Sequence, residues 1–224
     1  MSGTHITAPA GDPATPLPAG EGTPPPRSAL ELPTAASAIA DPAALGLGAF
    51  AMTTFVLSVV NAGLIDKSAE PVVLALALFY GGLAQLLAGM WEFRRGNVFG
   101  ALAFSSFGAF WLSFFFYVTY IVGGLAKVNE AGAATGLFLL AWTIFTGYMM
   151  IAALRVNVAV LAVFVFLFLT FIALVIGAFG DSSGFNKLGG WLGIITAVIA
   201  WYTSFSIVIN ATFKKTVLPV GPLG

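Results

Sequence analysis

The sequence contains no cysteine and a single histidine, His5. Disulfides, thiolate metal sites and a cysteine nucleophile are therefore excluded. No histidine ligand set can be assembled either, and no metal or cofactor is implied. Charge is scarce as well. Nine basic and nine acidic residues make up 8% of the 224 residues and cancel to zero. Soluble domains carry about 25% charged residues. Eighteen charges could not solvate a soluble fold whose sequence is 59% hydrophobic before its 26 glycines are counted. A soluble enzyme, a nucleic-acid binder and a disordered chain are ruled out. The absence of net charge gives a polyanion nothing to recognise.

The positions of the few charges give the architecture. Five lie in the first 41 residues, and the others cluster at Asp66–Glu70, Glu92–Arg95, Lys127–Glu130, Arg155, Asp181–Lys187 and Lys214–Lys215. Between them run six charge-free gaps, 42–65, 71–91, 96–126, 131–154, 156–180 and 188–213, none shorter than 21 residues. About 20 apolar residues in a helix cross a hydrocarbon core of about 30 Å, and a helix satisfies its own backbone groups in lipid. The expectation is an all-α integral membrane protein whose six transmembrane helices occupy 41–215. Residues 1–40 hold eight prolines among Ala, Gly and Thr. They read as a disordered tail that cannot bury a core, and 216–224 as a short C-terminal tail.

With six spans, Arg27, Arg94, Arg95, Arg155, Lys214 and Lys215 share one side, against Lys67, Lys127 and Lys187 on the other. The positive-inside rule then places both termini in the cytoplasm. An internal similarity recurs at an offset of ninety residues: Gly46-Leu47 with Gly136-Leu137, Thr53 with Thr143, Trp111 with Trp201. It raises a 3+3 inverted repeat, a frequent transporter design, against chance matching of apolar helices.

Polar residues inside the spans are small. Asp41-Pro42 opens helix 1 as N-cap and first helical residue. Thr54, Ser58 and Asn61 share a face with Phe50. Gly81, Gln85, Gly89 and Glu92 share one on helix 2, Ser106, Ser113, Tyr117 and Tyr120 one on helix 3, and Thr196, Thr203 and Asn210 one on helix 6. Small and hydroxyl residues commonly glue membrane helices together. Gln85 stands apart, because a carboxamide in mid-span needs partners or water, and both a path-lining and a packing role are open to it. No ionisable residue falls at mid-span. Glu92, beside Arg94 and Arg95 at a helix end, reads as an interfacial charge. Neutral donors without a proton relay suit a small solute that carries its own proton.

Several stretches together resemble the acetate uptake transporter family, the SatP-like acetate–succinate transporters of bacteria and their fungal relatives. They are Asp41-Pro-Ala-Ala-Leu-Gly-Leu47, Phe79-Tyr-Gly-Gly-Leu-Ala-Gln85, Ala88-Gly-Met-Trp-Glu92, Gly96-Asn-Val-Phe-Gly100 and Ala103-Phe-Ser-Ser-Phe-Gly-Ala-Phe-Trp111. The likeness runs from about Asp41 to Pro219. It implies six helices per subunit, a homohexamer in the plasma (inner) membrane, and a separate path through each subunit for acetate and other short carboxylic acids. Passage is proton-linked or channel-like. The resemblance places a narrow hydrophobic waist at Phe50, Phe107 and Leu167, polar path residues at Thr53, Thr54, Gln85 and Ser106, and an entrance motif at Asp41, Pro42, Leu45, Gly46 and Leu47.

The chain departs from the family pattern at two places. Asp41 stands where the motif has Asn, with Ala44 for its second Pro, and Phe107 stands where the waist usually has Tyr. Asp retains the cap and adds a negative charge near an anion entrance; Phe removes a hydroxyl. Both bear on substrate preference and neither on the fold. The rival reading is a structural or sensory membrane protein on the same scaffold that no longer transports. No nucleophile–base pair or metal set supports an enzyme.

Overall fold

Six helices long and apolar enough to cross a bilayer follow one another in the computed structural model, which describes Gly3 and residues 39–223. They are α1 Ala43–Asn61, α2 Lys67–Arg95, α3 Val98–Ala126, α4 Ala131–Ala153, α5 Val158–Phe179 and α6 Ser183–Phe213. The N-terminal tail expected over 1–40 lies almost wholly outside the described residues.

Polar side chains at the chain reversals decide where the helices begin and end. Asp41 Oδ1 accepts from the Ala43 N–H at 3.0 Å, and Pro42 already has helical dihedrals of −70° and −18°. α2 stops at Gly96, whose φ of +76° lies in the left-handed region. There the Gly96 N–H bonds to Phe93 O and the Asn97 N–H to Glu92 O, a Schellman closure that glycine makes without strain. The next residue starts α3: Asn97 Oδ1 accepts from the Gly100 N–H at 3.1 Å. Asn157 does the same for α5, accepting from Val160 N–H at 2.8 Å.

Each helix packs on the next in chain order, and α6 returns to lie along α1, closing a ring. Small residues allow the close contacts, since lipid gives helices no hydrophobic reason to associate. A Cβ on Gly108 of α3 would sit 2.6 Å from the Leu86 backbone nitrogen of α2, and one on Gly190 of α6 2.6 Å from the Asn61 backbone carbon of α1. Most buried hydroxyls serve their own helix. Thr53, Thr143, Thr146, Thr170, Thr196, Thr203 and Ser206 each donate to the carbonyl four residues earlier. This leaves no hydroxyl proton to spare and lets a polar side chain sit in an apolar interior.

Two spans are irregular. α2 widens into a π-turn over Phe79–Ala84 and α3 into another over Tyr117–Ile121. Such turns add a residue and rotate everything beyond them. α5 and α6 are regular throughout, so the irregularities of the first half have no counterpart where a ninety-residue repeat would put them.

The stretch after α6 folds back instead of trailing away. Asn210 holds it, donating from Nδ2 to Leu218 O at 2.8 Å and accepting through Oδ1 from the Val217 and Leu218 N–H groups at 2.7 and 3.0 Å. Tyr202 donates to Pro219 O at 2.6 Å. The carbonyls of Gly221 and Val220 then accept from the Val158 and Ala159 N–H groups at 2.7 and 3.1 Å. These are first-turn donors of α5 that have no partner within their own helix.

Candidate functional site: a cavity closed at mid-span

A cavity of about 560 Å³ opens at the end of the ring that carries Arg95, Asn97, Asn157 and Val220. Its depth follows from helix geometry. Gln85, Phe107 and Leu167 line its inner part, and each lies ten positions along its helix from a mouth residue: Arg95, Asn97 and Asn157 respectively. At 1.5 Å per residue that is about 15 Å, half of a hydrocarbon core of about 30 Å. The lining therefore extends to about the middle of these membrane-length helices.

Aromatic rings pack there. Phe107 packs on Phe50 with ring centroids 5.7 Å apart, on Phe145 at 5.3 Å and on Phe164 at 6.1 Å. One turn further along α3, Phe110 packs on Trp142 at 5.1 Å, and on Phe138 and Phe171 at 5.7 Å each. Phe50, Phe107 and Leu167 all belong to this buried cluster and all line the cavity. The walls above are apolar too, with Phe99 against Phe164 at 5.4 Å. Polar character is left to the floor and the rim. On the floor, Gln85 is 1% exposed and its Oε1 has no hydrogen-bond partner among the described residues; Thr203 also lines the cavity.

The sequence-predicted residues separate into two groups. Asp41, Leu47, Phe50, Gln85, Phe107 and Leu167 line the cavity. Thr53, Thr54 and Ser106 do not. Thr53 is spent on the Ala49 carbonyl and on contact with Gly81. Thr54 is buried outside the lining, and its hydroxyl has no hydrogen-bond partner among the described residues. Ser106 lies off the inner face of α3, which Gly100, Ala103, Phe104, Phe107 and Trp111 fill at helical spacing, and Ser113 and Tyr120 are exposed on the outside. In the entrance motif Pro42 is buried, Leu45 is exposed, and Gly46 lies flat against the Phe104 ring, where a Cβ would approach to 2.6 Å.

The rim differs from the sequence reading at Glu92. Instead of reaching out to the interface, its side chain is 0% exposed. Glu92 Oε2 accepts from Asn97 Nδ2 at 3.0 Å and lies 3.8 Å from Arg95 Nη1, while Oε1 has no partner among the described residues. It faces inward because it continues the buried face of α2 through Gly81, Gln85 and Gly89. Arg95 Nη1 in turn reaches Asp41 Oδ1 at 2.8 Å. Sequence reasoning missed this cluster, since Glu92 beside two arginines looks like a surface charge. The helical step of three from Gly89 was the signal for its burial.

A closed ring of six membrane-length helices around a half-depth cavity defines a multi-pass membrane protein. The chain belongs to the GPR1/FUN34/yaaH family, whose sequence pattern matches residues 22–224. It is 43% identical over 195 residues to acetate permease A of Emericella nidulans, covering 81% of this chain and 65% of that protein. It is 36% identical over 183 residues to the succinate-acetate/proton symporter SatP of Escherichia coli K12, covering 82% and 96%. The solved structure of the bacterial acetate channel SatP superposes with a TM-score of 0.73 at 34% identity, over 82% of this chain and 99% of that one. The chain spans 60–66% of the length of the fungal relatives it matches.

Proposed function

We propose that this protein carries acetate and similar short-chain carboxylic acids across the membrane through the cavity of each subunit. The observation that carries the reading is the cavity itself: a charged rim, apolar walls, one buried carboxamide and an aromatic floor at mid-membrane. A hydrophobic constriction makes a solute shed water to pass. A small monocarboxylic acid tolerates this by crossing as the neutral form, and Gln85 offers it both a donor and an acceptor. No side chain on this route need relay a proton; the acid carries its own. The names of the relatives support the same substrate class.

The reading extends to a homohexamer in the plasma membrane, each copy with its own path, both termini cytoplasmic and the cavity opening to the cytoplasm. The resemblance supports the assembly; the arginines and lysines clustered at the cavity end support the orientation. On this reading, transport requires the packed side chains of Phe50, Phe107 and Leu167 to part.

The full chain, purified and reconstituted, should take up labelled acetate at neutral pH faster than protein-free vesicles, whose leak is slow when the acid is ionised. Uptake should rise as external pH falls, in step with the protonated fraction. Uptake no faster than in protein-free vesicles, by a protein shown to be folded and inserted, would leave the non-transporting reading standing.

A further inference from the structure

Among the described residues lining the cavity only Asp41 and Arg95 carry charge. They face each other across its mouth, Arg95 Nη1 to Asp41 Oδ1 at 2.8 Å, with side chains 30% and 40% exposed. We propose that Arg95 is the docking group for the substrate carboxylate and that Asp41 is its built-in competitor, displaced when an acid enters. This rests on the transport reading for its substrate class.

The chemistry is direct. An aspartate side chain is a CH2–COO⁻ group, which is acetate held on a tether. The Asp41–Arg95 contact is thus an intramolecular image of acetate on a guanidinium, the side chain best suited to carboxylates. The site lies where an anion in the cavity first meets the protein, about 15 Å from the aromatic floor by the helix arithmetic above. The exchange leaves no charge stranded. When Arg95 releases Asp41, which keeps its cap bond to the Ala43 N–H at 3.0 Å, an incoming carboxylate replaces it one for one, beside buried Glu92 at 3.8 Å from the guanidinium. Asn97 holds Glu92 from the other side and is itself fixed by capping α3. The guanidinium is therefore positioned from behind while its outward partner is free to change.

The Asn of the resembling motif at position 41 would cap α1 equally well but would bring no carboxylate to compete for Arg95. The aspartate thus raises the acid concentration needed to occupy the mouth, and Arg95 decides that an anionic head group is held there.

Equilibrium binding of labelled acetate to the purified full-length protein tests this without depending on transport. Asp41→Asn should bind about two- to fivefold more tightly, the range set by losing a partly exposed ion-pair competitor. Arg95→Gln should weaken binding and cancel the gain in the Asp41→Asn/Arg95→Gln double variant. Arg95→Lys, which keeps the charge but not the fork, should retain part of the gain. An Asp41→Asn gain that persists undiminished in the Arg95→Gln background would overturn the proposal, because a general field effect at the mouth would then explain it. Unchanged binding in Asp41→Asn together with a lower melting temperature would overturn it too, by making the pair structural glue. Binding that follows the expected pattern in a protein that moves no acetate would defeat the transport reading and leave the docking site standing.

Discussion

Phe107 touches more of the aromatic floor than its neighbours in the waist, packing on Phe50, Trp142, Phe145 and Phe164. Cutting it to Ala should cost about 3–5 kcal/mol of stability, as for any large buried ring, so flux has to be compared per folded protein. On that basis Phe107→Ala, and to a lesser degree Phe50→Ala and Leu167→Ala, should raise the ratio of butyrate to acetate flux. Phe107→Tyr should shift the ratio the other way by restoring a donor. Equal ratios in all four variants would return these residues to ordinary packing. Gln85 is the complementary case. Its buried Oε1 has no partner, so Gln85→Leu removes an unsatisfied acceptor and should leave the melting temperature unchanged or raised. Acetate flux should nevertheless fall several-fold. A drop in stability together with unchanged flux would mean that the carboxamide is structural. Both residues were legible in the sequence, Gln85 as the one carboxamide in mid-span and Phe107 through the family resemblance. Glu92 and Arg95 were not. Their neighbourhood in sequence is charged and looks exposed, and only the chain reversal at Gly96 turns Asn97 back onto Glu92.

Among the elements, the spans were readable because membrane length and freedom from charge are one-dimensional properties. The fold-back after α6 was not. Residues 214–223 carry no apolar periodicity, and they are ordered by three hydrogen bonds to one side chain, Asn210, plus backbone carbonyls lent to α5. The expected alignment of Asn210 with Thr196 and Thr203 gave its face but not its task. Because Val220 lines the cavity mouth, this strap is also part of the rim. Asn210→Ala strands the Val217 and Leu218 backbone groups and should destabilise the protein by about 1–3 kcal/mol. Protease cleavage within 215–223 and faster amide exchange at Val158 and Ala159 should follow, while the exchange of α1 stays as it was. If exchange at α5 is unaffected, the strap does not depend on Asn210. The π-turns were equally invisible to a reading by regular 3.6-residue spacing. The turn over Phe79–Ala84 ends immediately before Gln85 and thus helps to set the direction in which its side chain points.

For the molecule as a whole, the ring of helices leaves a cavity open at one end and sealed near the middle, and this asymmetry can be read chemically because the native chain has no cysteine. Ala103 and Val160 line the cavity between its mouth and the floor formed with Phe107 and Leu167. Lys127 sits at the far end of the ring, where α3 finishes. With the cavity facing the cytoplasm, a membrane-impermeant thiol reagent added to intact cells should label Lys127→Cys and spare Ala103→Cys and Val160→Cys. Permeabilising the cells should expose both cavity positions. Labelling of Val160→Cys but not Lys127→Cys from outside would invert the orientation while keeping the half-channel. Labelling of Ala103→Cys from both sides would show instead that the aromatic floor is open at rest. Excess acetate should slow the reaction at Val160→Cys from the mouth side, because an acid docked at Arg95 occupies the cavity that Val160 lines. The same excess of a neutral amide of equal size should not slow it, since a guanidinium gives it no comparable hold.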